Sequence, residues 1–213
     1  TSPSTSTWSP SRGRSWWRND LVGAHKCDLR HGAPDMTLDI SWTRTALKLP
    51  PEVRKDLALR LSEMSQYFPE MRRELKVGIT RSYDGSVFQA EDGSAKLMLE
   101  VRRRRGGGWR LPTRWTIAHE LMHLAQFNSK GIPGGERATD IHALARLPPR
   151  FIDDSPSYLV VPRGLRGAWP PEAARLAHEL AREAVALRGD GLRRYASWWE
   201  SEFEKQWRRN RAE

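Results

Sequence analysis

Apolar residues recur at three- and four-residue steps in several stretches of this chain and at two-residue steps in another. After Pro50-Pro51, the positions Val53, Leu57, Leu61, Met64 and Phe68 define one face of a helix running to about Tyr67, with charge on the other face. The period then shortens. Lys76–Ser82, Ser86–Glu91 and Ala95–Arg102 read as strands, and Leu97, Leu99 and Val101 alternate with Lys96, Met98 and Glu100. Asp84-Gly85 and Asp92-Gly93 separate them, so the pattern predicts a three-stranded antiparallel meander. Trp109–Leu111 is a candidate fourth strand. Thr113 to Phe127 is helical and apolar on most sides, with Thr113 as its N-cap after Pro112. Gly131, Pro133, Gly134 and Gly135 mark a tight loop, and Ala138, Ile141, Leu144 and Ala145 give a further helix. An irregular stretch follows Pro148-Pro149, with Tyr158–Val161 as a candidate strand. Pro170-Pro171 opens a helix carrying Leu176, Leu180, Ala184 and Leu187, and a last helix places Tyr195, Trp199, Phe203 and Trp207 four apart. Residues 1–47, rich in Ser, Thr, Pro and Arg, show no period and read as poorly structured.

The apolar helix carries His119, Glu120 and His123, an H-E-x-x-H pattern. Residues four apart share a helix face, so both imidazoles can reach one ion. Neutral imidazole suits Zn²⁺, and two such ligands leave room for a third protein ligand and a water. Glu120 is placed to act as general base on that water. Among flanks as apolar as Ile117, Ala118, Leu121, Met122, Leu124 and Ala125, three unpaired polar side chains are costly, and a metal removes that cost.

Glu136 falls thirteen residues after His123, where a short loop can bring it back over the metal as third ligand. Asp140, one turn later on the same face, can accept the free imidazole N–H of a liganding histidine. Asp140 and His142 stand as alternative ligands. Each carboxylate also has an ordinary reading as a favourable charge near a helix start. His178-Glu179 repeats two letters of the motif, but Arg182 replaces the second histidine, so His178 reads as a surface residue.

H-E-x-x-H, a loop, then E-x-x-x-D resembles the gluzincin zinc peptidases, the group that includes thermolysin, and the order of elements is most like the minigluzincins. The resemblance covers about residues 50–147. It implies a zinc metallopeptidase with His119, His123 and Glu136 as ligands, Glu120 as catalytic base and Asp140 in the outer shell. It also implies a transition-state stabiliser beyond the metal ligands, for which Tyr158 and His142 are the candidates. The fold class expected is α+β. A small antiparallel sheet of three or four strands packs on a backing helix, an active-site helix and a glutamate helix, with extra C-terminal helices. The division expected is an N-terminal segment 1–47, a catalytic domain 48–147 and a C-terminal helical extension 148–213.

Composition adds the partners. The 213 residues carry a net charge of +10, and residues 101–150 hold ten basic against three acidic residues. Arg102–Arg105 therefore points to a peptide or protein substrate with acidic side chains, or to nucleic acid, which the C-terminal helix with its Arg and Trp residues can also contact. The competing class is a basic, zinc-stabilised domain that binds nucleic acid or protein, its peptidase site inactive or incidental. The aromatic stripe of the last helix reads more readily as a docking face on the core. The single cysteine, Cys27, excludes an internal disulfide and suits a reducing compartment, and it is a candidate to block the metal's open position. No apolar run approaches a membrane span and no secretory signal is visible, so a cytoplasmic location without membrane partners is expected.

Overall fold

The computed structural model describes residues 38–81, 84–89, 94–166 and 169–212, which lie in the unit Met36–Glu213. The tryptophans at 8, 16 and 17 and Cys27 lie outside the described residues, as does the N-terminal segment up to residue 37. Residues 39–48 are ordered elements of the unit, which corrects the expected boundary at 47: Asp39–Trp42 forms β1 and Ala46–Lys48 a 3-10 turn.

Helix α1 (Pro51–Ser65) starts on a proline at its first position, where the missing N–H costs nothing. It buries Val53, Leu57, Leu61 and Met64. Strands β2 (Glu74–Thr80), β3 (Gly85–Gln89) and β4 (Ala95–Glu100) follow. The class is α+β, but the sheet is mixed, not an antiparallel meander. Its order is β1-β2-β4-β3, with β1 parallel to β2, β2 parallel to β4, and only β3 and β4 antiparallel. Consecutive strands β3 and β4 pair antiparallel, as expected, while Asp92-Gly93 lies outside the described residues. At Asp84-Gly85 the chain instead steps across the position of β4. Period-2 alternation says which face of a strand is buried, not which neighbour it pairs with.

The fourth strand of the sheet is β1, brought beside β2 by the α1 crossover that parallel pairing requires. Trp109–Arg110 (β6) pairs with Arg102–Arg103 (β5) in a separate two-stranded ribbon. The basic Gly-rich loop is thus a hairpin, closed by Arg104 O accepting from Gly107 N–H and Gly108 O from Arg104 N–H, both at 3.1 Å. Gly107 and Gly108 take the positive φ that the turn needs.

Helix α2 (Arg114–Asn128) lies against β3, β4 and α1. Its N-terminus is capped twice. Thr113 Oγ1 accepts from Thr116 N–H at 3.0 Å, and Asp153 accepts from Arg114 and Trp115 N–H at 3.1 and 2.9 Å. Helix α3 (Glu136–Arg146) packs on α2, α4 (Pro171–Gly189) on α3, and α5 (Tyr195–Arg209) on α4. One core runs without a break from Leu49 to Phe203, so the C-terminal helices are built into the same body as the sheet. Tyr158–Val161 is irregular and forms no strand.

The aromatic face of α5 is consumed inside. Trp199 and Phe203 are fully buried and stack at 4.8 Å, Trp169 stacks on Phe203 at 5.8 Å, and Trp199 Nε1 donates to Ala177 O at 3.1 Å. His178, expected at the surface, is half-buried with Nδ1 2.9 Å from Leu144 O, tying α4 to α3. Among the described residues no helix is long and apolar enough to cross a membrane. Trp199→Ala removes a large buried ring and its hydrogen bond. A loss of about 3–5 kcal/mol is expected in urea unfolding monitored by circular dichroism.

Candidate metal centre

The residues between α2 and α3 turn the chain back on itself. Gly135, at φ +94°, is the last residue before α3, a conformation that side-chain-bearing residues rarely adopt. Glu136 is thereby returned over the face of α2 that carries both histidines. Glu136 Oε2 lies 3.1 Å from His119 Nε2 and 3.2 Å from His123 Nε2. One ligand atom from each of the three residues falls within 4.8 Å of the others, a grouping that can hold a metal ion.

The tautomers decide what this cluster wants. Asp140 Oδ1 is 2.8 Å from His119 Nδ1, and a carboxylate there places the proton on Nδ1. Gln126 Oε1 is 3.1 Å from His123 Nδ1, while the Gln126 amide donates to Pro133 O at 2.7 Å. That second bond orients the amide so that its oxygen faces the imidazole. Thr139 Oγ1 adds contacts to Gln126 Oε1 at 3.0 Å and to His123 Nδ1 at 3.3 Å. With both Nδ1 atoms donating, both Nε2 lone pairs face a carboxylate oxygen. Three acceptors converging without a shared proton repel one another, and a divalent cation is the partner that reconciles them. The donor set therefore fits a metal.

Burial works against charge on His119, but the Asp140 hydrogen bond and the nearby carboxylates outweigh it and raise the imidazole above its ordinary range. On His123, burial and the neighbouring His119 prevail and lower it. The centre on its own can thus keep one proton on the His119 side, a proton that an incoming cation displaces.

Glu120 lies beside the cluster. It is buried, and burial first, then the charges of Glu136 and Asp84, push its carboxyl up to about 7 against the opposing pull of His119. A dication close by favours the ionised form. A Cβ on Gly85 of β3 would come within 2.6 Å of Glu120 Oε1, so glycine there gives the carboxylate its place against the strand.

The structure gathers His119, His123, Glu136, Asp140, Glu120 and Tyr158. Tyr158 is half exposed, its ring stacked on that of His119 at 5.4 Å, and its backbone N–H donates to Asp140 Oδ2 at 2.9 Å. Burial and the surrounding carboxylates raise its phenol above the ordinary value, so it stays protonated. Asp140, fully buried, is spent on His119 and Tyr158 and sits outside the three-residue group. His142 does not join the site. Two residues after Asp140 on a helix is about 200° around the axis, and it packs edge-on against Tyr195 at 6.2 Å. Gln126 and Thr139 were not singled out in the sequence. Gln126 is three residues after His123 on the same helix, a spacing that carried the signal.

No family model matches this chain, and neither the curated proteins nor the solved structures contain a match to it.

Replacing Asp140 by Asn keeps the shape but loses one of two acceptor oxygens. Metal affinity is expected to fall about 10–100-fold in competition against a chromophoric chelator. His142 gives a separate expectation. Burial first, then Arg146 and Arg188, lower it from 6.5 to about 4, and its Nε2 has no hydrogen-bond partner. The unfolded chain binds this proton below 6.5 and the folded chain refuses it down to about 4, so stability drops as the pH is lowered from 6.5 to about 4. The contribution is at most about 3 kcal/mol. His142→Phe should flatten that part of the urea-stability profile relative to the parent protein.

Proposed function

We propose that this chain is a zinc-dependent metallopeptidase of the gluzincin type, with His119, His123 and Glu136 as ligands. The observation that carries the reading is the convergence of both Nε2 atoms on one Glu136 oxygen, with Glu120 buried alongside. Two imidazoles and one carboxylate, each imidazole backed by its own acceptor, suit zinc at a catalytic centre that keeps an open position. The ion, when bound, supplies Lewis acidity and lowers the pKa of a water molecule towards about 7.

The chain's own groups supply the rest. Glu120 accepts the proton of the attacking water and returns it to the leaving amine. Its burial favours the protonated form that follows the first transfer. Tyr158, held beside His119 by its stacked ring and its backbone bond to Asp140, donates a hydrogen bond to the oxygen that gains charge in the tetrahedral state. An extended peptide binds along β3, which is an edge strand of the sheet and runs past Glu120 at Gly85, and adds a strand through backbone hydrogen bonds. The ridge of aromatic residues on α5 supports no nucleic-acid platform, since Tyr195, Trp199 and Phe203 are buried in the core.

Glu120→Gln should lower peptide cleavage by at least about a thousandfold while zinc stays bound at one ion per chain. The check combines metal analysis with turnover of a quenched fluorescent peptide, blocked by a chelator and restored by zinc. Undiminished turnover in that variant would sink the proposal.

A further inference from the structure

The two-stranded ribbon sorts its cations by face. Arg102 stands in register with Arg110, and Arg103 with Trp109. Directly opposed side chains of an antiparallel pair leave on the same side, and successive ones on opposite sides. One face therefore carries Arg102 and Arg110. Arg102 borders an acidic cavity lined by Asp84, Glu100 and Asp154, where it pairs with Glu100, and Arg110 borders a narrower space past the same three carboxylates. The other face carries Arg103 beside Trp109. Trp109 lines a separate cavity of about 380 Å³ together with Lys48 and Arg81. The apolar part of its lining is Leu49, Ile79 and Val101. Among the described residues no carboxylate lines this cavity, and none pairs with Lys48, Arg81, Arg103, Arg104 or Arg105. All five cations are exposed, and Trp109 is partly exposed.

We propose that this cavity and its face of the ribbon bind single-stranded nucleic acid, an unpaired base resting on Trp109 and the flanking phosphates on Lys48, Arg81 and Arg103. Arg104 and Arg105, at the turn of the ribbon, carry the positive surface further along the strand. The inference is independent of the peptidase reading. Cations gathered without a counter-charge repel one another, and a polyanion relieves that repulsion while releasing its own counterions. An indole set among cations matches a chain in which flat bases alternate with phosphates, since every base has a face to stack. An acidic peptide side chain satisfies the cations but leaves the indole uncovered. A duplex keeps its bases paired and stacked, so it cannot lay one on a ring recessed in a cavity. The volume suits one small planar group, within the range of about 300–1,000 Å³ for small-ligand pockets.

The test uses the full chain and fluorescein-labelled strands of one mixed sequence, about 12 nucleotides long, as DNA and as RNA. Binding is followed by fluorescence anisotropy from about 50 to 300 mM salt. The better-bound strand is expected to show log K falling linearly with log salt, at a slope of about −3.5 for five cations. The duplex of the same sequence is expected to bind about tenfold more weakly. Lys48→Ala/Arg81→Ala should lose about tenfold in affinity and flatten the slope by about 1.4. Trp109→Ala should lose about tenfold with the slope retained, and Trp109→Phe should keep most of the affinity. Arg175→Ala/Arg182→Ala, which removes the same charge from the exposed face of α4, should change neither. Circular dichroism checks the fold of each variant. Should Trp109→Ala unfold, the Lys48/Arg81 variant decides, because both residues are exposed and unpaired. Equal loss in the α4 variant, unchanged affinity in the cavity variants, or no binding at about 50 mM salt overturns the inference. So does binding of the duplex, or of a poly-glutamate peptide, as tight as that of the strand.

Discussion

The buried carboxylate of Asp140 is the interaction on which the centre depends. It has no exposure to solvent and uses both oxygens, one on His119 Nδ1 and one on the backbone of Tyr158. An ionised group in that position is costly unless paired, and these two bonds are what offset the cost. The same group decides three things at once: the tautomer of His119, the entry of the loop after α3 into the site, and the closeness of the Tyr158 ring to the imidazole. Its own position depends on α3. That helix is clamped by α4 on one side and by a paired Arg146–Glu70 contact at 2.7 and 2.8 Å on the other. The Arg146 bond also holds the Glu70 carboxyl below its ordinary range.

The sheet contributes through its edge rather than its interior. Stepping β3 past β4 leaves an antiparallel strand at the rim, with one side on β4 and the other open, next to the helix that carries Glu120. A side chain at 85 would displace that carboxylate, so glycine there leaves Glu120 its room against the strand. The acidic cavity forms where this strand, β4, α2 and the loop after α3 meet. Its charge contrasts with the chain's net +10 and with the basic ribbon close by. Local arrangement therefore opposes the average field, and short-range contact prevails over distant screened charge inside a cleft.

Much of this was legible in the residues. Proline pairs and apolar spacing placed α1 and α4, Thr113 announced the start of α2, and the glycine-rich loop announced the return to α3. Glu136 and Asp140 share a face because they are four apart, and the structure puts both where that spacing implied. His142 was a weaker reading for the same reason, since two residues later the helix points elsewhere. Strand pairing was not legible. Alternation in Leu97 and Leu99 is identical whichever strand lies alongside, whereas β1 was legible and overlooked, since Met36, Leu38, Ile40 and Trp42 alternate with Thr37, Asp39 and Ser41.

By itself the sequence determined most of the local elements and picked out the three side chains that the structure brings together as a group able to hold a metal ion, because helical periodicity and the H-E-x-x-H spacing are properties of a few adjacent turns. It also determined that α5 has a single apolar face needing cover. Only the tertiary structure decided the order of the strands, the partners of His123, the half-buried role of His178 and the gathering of Asp84, Glu100 and Asp154 into one cavity. Those three residues are separated by sixteen and fifty-four positions along the chain. No local rule links such distances, and it is the packing of one shared core that brings them face to face.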